Sequence, residues 1–281
     1  MKLKHTDFRL LFMPRLVLTL AAIAAPVSSL HAGFDASASP PRFELKARPG
    51  DVIRQTLQIS NHENQPARYL VKTADWELGP GGEAQFMEAA PKGGSCRPWV
   101  RVERHEISVS PKDTRNFRFE IHVPKDAASG ECRFALLVSS DAGTVSPRGG
   151  NFIQIPIVGR LGIIVYVTIG DAKPGMKLER IVMKRIDGKP TPVATVHNAG
   201  TAHSRVQGSL KAVDAASHKL NLVPEQVVIL PNARRELSLT PVDWSEGEAK
   251  PPAYELALPL RIKGTLQFQD GGEVEIDQTL Q

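Results

Sequence analysis

The segment 151–171, NFIQIPIVGRLGIIVYVTIGD, constrains this chain more than any other. From Ile153 to Ile169 every odd position is apolar or glycine: Ile153, Ile155, Ile157, Gly159, Leu161, Ile163, Val165, Val167 and Ile169. The even positions are mixed, running Gln154, Pro156, Val158, Arg160, Gly162, Ile164, Tyr166 and Thr168. Period-two alternation rich in β-branched residues marks a strand with one committed apolar face. At about 3.3 Å per residue these positions would span roughly 55 Å, well beyond an ordinary strand. The strand therefore either breaks at Gly159 or projects past its own sheet. Pro156 cannot donate to a ladder, which places the first half at an edge. An apolar edge invites aggregation, so keeping one points to a partner strand that pairs there. A bilayer span is excluded, because the apolar run falls short of about 20 residues and contains Gln154, Pro156 and Arg160. Pro156, the glycines and the β-branched content oppose a helix. A strand buried in its own core is the competing account, and alternation alone does not separate the two.

Residues 1–32 read as an export signal. Lys2, Lys4, Arg9 and Arg15 precede a short apolar core at 16–25, LVLTLAAIAA, and small residues follow Pro26. Cleavage after Ala32 is expected, with Leu30 at the −3 position. The apolar core is too short for a stable membrane anchor and no later segment offers one, so the sequence predicts an exported, soluble chain with no stable membrane anchor. The whole chain carries 35 basic and 30 acidic residues; without the leader the balance is 31 to 29, a net charge of +2. No run of lysine and arginine is interleaved with aromatics, so nucleic acid is not a predicted partner.

Two cysteines are present, Cys96 and Cys132. In an oxidising compartment an even count predicts a disulfide, here with 35 residues between the partners. Closing such a loop would contribute about 3–4 kcal/mol in the chain-entropy account. The short spacing or histidine neighbours of a redox or metal pair are missing.

Along the chain, residues 34–39 form a small-residue lead-in and 42–46 (RFELK) alternate. Residues 52–60 (VIRQTLQIS) place Ile53, Gln55, Leu57 and Ile59 on one phase. Residues 68–76 (RYLVKTADW) follow the turn NHENQP and end near Trp76, large enough to seal one end of a core. The run Gly79-Pro80-Gly81-Gly82 lacks the strand–loop–helix context of a phosphate cradle and predicts a turn. Further strands are predicted at 99–109 (WVRVERHEISV), at 115–123 (RNFRFEIHV) and, with a near-continuous apolar run, at 132–139 (CRFALLVS). A hinge is expected at 170–175, GDAKPG. Beyond it strands are predicted at 178–183, 193–198, 205–213, 227–230, 236–241, 254–262, 265–270 and 274–276, with Asp270-Gly271-Gly272 as a hairpin turn. No stretch has convincing helical periodicity. The predicted fold is all-β, with two immunoglobulin-like β-sandwich domains in tandem at 33–170 and 171–281.

In this order the chain resembles the PapD-like periplasmic chaperones of the chaperone–usher pilus pathway. A Pro-Gly turn precedes the strand ending LQISN at Asn61, and the next strand ends in Asp75-Trp76. A long alternating strand then leads to a hinge, and the second domain opens with a strand ending His197-Asn198. The resemblance implies a periplasmic chaperone for pilus or fimbrial subunits, with an outer-membrane usher as a second candidate partner. It further implies that the last long strand of the first domain is lent to an incomplete subunit. The donor residues would be Ile153, Ile155 and Ile157, with Leu161 beside them. Burying three isoleucines in a partner groove would stabilise the pair by roughly 5–9 kcal/mol before ordering costs. In that family a paired arginine and lysine anchor the subunit's terminal carboxylate. Here Leu45 stands where the arginine belongs, the lysine position falls near Ile163 or Ile164, and Arg42 and Arg160 are the substitutes the sequence offers; solvated strand residues are the equal alternative.

No catalytic constellation is visible: the chain has no G-x-S-x-G, S-x-x-K or H-E-x-x-H motif. His197 and His203, six apart, predict a surface pair rather than a metal site. The expectation is a non-enzymatic protein without metal or cofactor. The alternative to a chaperone is an exported immunoglobulin-like structural or adhesive module whose long strand is simply core.

Overall fold

Alternation inside the strands and proline, glycine and asparagine between them give this chain short sheet segments joined by tight turns. The computed structural model describes residues 34–89, 94–140, 159–243, 250–269 and 271–281. The leader 1–32 and Ile153, Ile155 and Ile157 lie outside the described residues.

The first ten strands are β1 (Ala36–Ser39), β2 (Arg42–Ala47), β3 (Val52–Asn61), β4 (Ala67–Leu78), β5 (Ala84–Met87), β6 (Val100–Val102), β7 (Glu106–Val109), β8 (Thr114–His122), β9 (Gly130–Ser140) and β10 (Arg160–Ile169). They form two layers, ordered β1-β3-β8-β6 and β2-β10-β9-β4-β5, with β7 also paired to β4. Then come β11 (Met176–Ile186), β12 (Lys189–Asn198), β13 (Val206–Val213), β14 (Lys219–Pro224), β15 (Arg234–Val242), β16 (Leu260–Phe268) and β17 (Glu273–Leu280), ordered β11-β12-β15-β14-β13-β16-β17. The fold is all-β, with two immunoglobulin-like sandwiches in tandem. In the second, Arg234–Ser238 of β15 pair with β12, while Leu239–Val242 pair with β14. One strand thus passes from one layer to the other.

The first core is built from the predicted phases. Leu57 and Ile59 of β3 and Phe117, Phe119 and Ile121 of β8 face Phe134, Leu136 and Val138 of β9 and Ile163, Val165 and Val167 of β10. Each such side chain contributes about 1.5–3 kcal/mol on leaving water. The near-continuous apolar run of β9 has a separate cause. Ala135 and Leu137 point away from that core and are buried in a second cluster with Ala74, Trp76, Tyr166 and Val228 of the second sandwich. Trp76 therefore belongs to the junction of the two sandwiches and does not seal the end of the first core.

Several boundaries differ from the sequence expectation. Residues 99–109 are two strands in different sheets: β6 pairs with β8, β7 with β4, and a 3-10 turn, Arg97–Trp99, precedes them. Val100 and Val102 turn inward on even positions, Ile107 and Val109 on odd ones. A straight strand cannot face both sets inward, so the chain crosses between layers at 103–105. The lead-in 34–39 contains β1, and β5 and β14 were not predicted as strands. Residues 227–230 form no strand: only Ile229 bridges, to Ser204, and Val228 packs on the first sandwich. Pro224 and Pro231 bracket this stretch and donate nothing. The strand expected at 254–262 begins only at Leu260, after Pro259, and runs unbroken through Gly264 to Phe268.

Each sandwich closes a turn with a buried asparagine. Asn61 Nδ2 donates to the Gln65 and Val109 carbonyls at 2.8 and 3.2 Å, and its Oδ1 accepts from Glu63 N–H at 3.0 Å. Asn198 Nδ2 donates to the Ala202 and Ile229 carbonyls at 2.8 and 3.0 Å, and its Oδ1 accepts from Gly200 N–H at 3.0 Å. The same offsets recur in both turns, because a strand-end asparagine can close a local loop and tie a distant strand at once.

Candidate functional site

The two edges of β10 are not equivalent. On one side it pairs with β9 along its whole length, from Arg160 opposite Ser139 to Ile169 opposite Gly130. On the other side β2 runs parallel to it and joins only at Ile164, opposite Arg42. The reason lies in the chain before β2. Residues 36–39 pair with β3 in the opposite layer, and Pro40 and Pro41 then carry the backbone across without a donor to offer. Between Arg160 and Ile163 this edge of β10 has no partner strand among the described residues.

Burial along β10 follows the predicted row. Ile163, Val165, Val167 and Ile169 are buried in the first core, and Leu161 is partly buried against it. The remaining donor candidates, Ile153, Ile155 and Ile157, fall outside the described residues, so their placement is not part of this geometry.

Arg42 and Arg160 are not brought together. Arg42 stands at the register of Ile164, four residues past Arg160, about 13 Å along the strand at about 3.3 Å per residue. Each is held by its own carboxylate. Arg42 Nε lies 2.9 Å from Glu44 and Arg160 Nη2 lies 3.1 Å from Glu88. Both side chains are about half exposed, and exposed pairs of this kind contribute little, about 0–1 kcal/mol.

Cys96, just before the 3-10 turn, and Cys132 of β9 form the expected disulfide, with their Cα atoms 5.3 Å apart. It ties the segment following β5 to the strand that pairs with β10.

A polar junction joins the two sandwiches beside the C-terminal half of β10. Glu44 of β2 lies opposite Tyr166 of β10 and receives Arg205 Nη1 at 3.1 Å and Gln269 Nε2 at 3.2 Å from the second sandwich. Its carboxyl is raised by burial, but Arg205, His203 and Arg42 outweigh that and hold it below the usual range. Glu131 of β9 has a fully buried side chain and accepts from the backbone N–H of His203 at 2.9 Å and from its imidazole. His203 is stacked on Tyr166 at 3.8 Å between ring centroids, and its side chain is only 8% exposed. It is therefore a junction residue, not half of a surface pair with His197. Burial pushes the Tyr166 hydroxyl up to about 12, so it stays protonated at neutral pH. Trp76 stands edge-on to Tyr166 at 5.5 Å, and Arg133 lies over the indole. Of these junction residues only Trp76 and His203 were singled out from the sequence, and neither as a junction contact. The available signal was Tyr166, an aromatic on the nominally outward phase of an otherwise committed strand.

Among the described residues, no group of three or more histidine, cysteine or acidic side chains could hold a metal ion. No described helix is long and apolar enough to cross a membrane.

No protein-family profile matches the sequence, and no curated protein matches it. Solved structures similar to it include the YadV chaperone, at 12% identity and a TM-score of 0.47, over 88% of this chain and 100% of that one. Another is the CupB2 chaperone of Pseudomonas aeruginosa, at 14% identity and a TM-score of 0.42, over 87% and 100% of the two chains. A third is a chain of the Salmonella enterica SafA pilin–SafB chaperone complex, at 13% identity and a TM-score of 0.46, over 88% and 97%.

Proposed function

We propose that this protein is a periplasmic chaperone for pilus or fimbrial subunits, exported by residues 1–32, and that it binds them by lending an edge strand. The observation that carries this is the half-covered edge of β10. Hydrogen-bonding groups from Arg160 to Ile163 have no β2 partner, and the apolar row that β10 buries continues upstream in the sequence through Ile157, Ile155 and Ile153. A row of this kind supplies side chains to alternate pockets of a partner while the open backbone sets register. Leu161 lies where the chain's own core ends, so it serves both sides of that boundary. Arg160 and Arg42 are the cations offered to a subunit carboxylate, and each would first exchange its contact with Glu88 or Glu44. The usher is the further partner this role entails.

The test is affinity purification of tagged protein from its native periplasm, with mass spectrometry of what co-purifies. A one-to-one exported β-rich subunit, lost on Ile155→Asp while the melting temperature of the free protein stays put, supports strand lending. Loss of the fold on Ile155→Asp, or the same capture with and without the substitution, overturns it.

A further inference from the structure

The odd row from Ile153 to Ile169 has one position with no side chain, Gly159. Another part of the chain fills it. A Cβ on Gly159 would lie 1.9 Å from Cγ of Phe34, so the phenyl ring occupies the space an inward side chain would take. Phe34 packs against the first core and stands edge-on to buried Tyr69, with centroids 6.1 Å apart. The next residue is fixed on the β3–β4 turn, where His62 N–H donates to the Asp35 carbonyl at 2.8 Å and Asp35 N–H to Glu63 at 3.3 Å.

The opposite face of β10 shows the same arrangement. A Cβ on Gly162 would lie 2.2 Å from Cζ of Phe86, which β5 brings over the outer face of the sheet beside Ile164 and Tyr166. Two glycines three residues apart each receive an aromatic ring, one from the segment before β1 and one from β5, one ring on each face. They do so at the residue before β10 and within its first turn of pleat, before β2 joins it at Ile164.

We propose that Phe34 and Phe86 are positioning residues that grip residues 159–163 from both faces and fix the register of the start of β10 against β9. Phe34 also covers the protein's own core beside Gly159. The inference rests on the strand-lending function proposed above.

The test compares Phe34→Ala, Phe86→Ala and the double variant with Val71→Ala, a fully buried core truncation on β4 that serves as a stability control. Amide exchange is followed in the free protein. Capture is measured with the subunit recovered by the wild-type protein. In the double variant, exchange at 159–163 should rise about tenfold with little change elsewhere, as for a local opening. Capture should weaken several-fold beyond that of Val71→Ala, and Phe34→Leu should restore part of it. Unchanged exchange at 159–163 overturns the grip. Faster exchange with capture equal to that of Val71→Ala overturns the positioning role and leaves the rings as ordinary packing. If the wild-type protein captures no subunit and Ile155→Asp changes nothing, strand lending itself fails, and the positioning role falls with it whatever the exchange shows.

Discussion

Asp214 closes the turn after β13 with a side chain that is fully buried. One carboxylate oxygen accepts from the backbone N–H of His218 at 2.8 Å. The other accepts from the His218 ring at 3.0 Å and from Ala257 N–H at 3.3 Å. The His218 ring in turn stacks on Tyr254 at 3.9 Å, so one acid organises two loops. Burial alone would raise its pKa, but the hydrogen bonds from His218 and Ala257 win and leave it below the usual aspartate range. A depressed carboxyl stabilises the fold fully above its unfolded value of about 3.9, and that contribution is lost as pH falls through the folded value. Unfolding midpoints measured from about pH 6 down to about pH 2 should therefore fall on the acid side, and Asp214→Asn should flatten that limb. An unaltered acid limb in Asp214→Asn would remove the assignment. No sequence pattern marked this aspartate; its partner Ala257 lies 43 residues away. That distance hid its role.

At the scale of elements, the alternating runs were legible wherever one phase stays apolar over several turns of the pleat. The inward phases of β3 and β8 and the Cys96–Cys132 pair follow from sequence alone. The interruptions were harder. The even-to-odd phase change between Val102 and Ile107 records the crossing from one layer to the other, but that signal shows only when the two phases are compared. β1 and β5 carry too few apolar residues to announce themselves, yet one begins beside Phe34 and the other carries Phe86. Reduction of the disulfide should destabilise the first sandwich by about 3–4 kcal/mol, read as a lower denaturant midpoint in the presence of dithiothreitol and in Cys96→Ala/Cys132→Ala. Equal midpoints with and without reductant would mean that β9 is held by its ladders alone.

For the whole molecule, the junction decides how the parts act together. Apolar contact of Val228 with Trp76, Ala135 and Tyr166 is flanked by Glu44–Arg205, Gln269–Glu44 and Glu131–His203. Arg235 Nη2 also donates to the Gly79 carbonyl at 3.0 Å, on the β4–β5 turn. Buried and half-buried polar contacts of this kind cost desolvation when unpaired, so they select one arrangement of the two sandwiches over others. Arg205→Ala leaves Glu44 without its shortest contact from the second sandwich. It should speed cleavage before Asp171, in the link between the sandwiches, by an aspartate-specific endoproteinase several-fold while the melting of the first sandwich is unchanged. Equal cleavage rates would assign the orientation to the apolar contacts instead.

The sequence by itself determined the β character, the two-sandwich architecture, the inward faces of the main strands and the cysteine pair. These depend on period-two alternation, turn residues and parity, all of them local or compositional. Only the tertiary structure decided that β2 joins β10 at Ile164 and that, among the described residues, no strand pairs with the edge before it. It alone showed that Arg42 and Arg160 stand apart, that Trp76 and His203 belong to the junction, and that two phenylalanines fill the spaces over Gly159 and Gly162. Those outcomes depend on which strand lands beside which and in what register, a choice made by contacts between residues far apart in the chain.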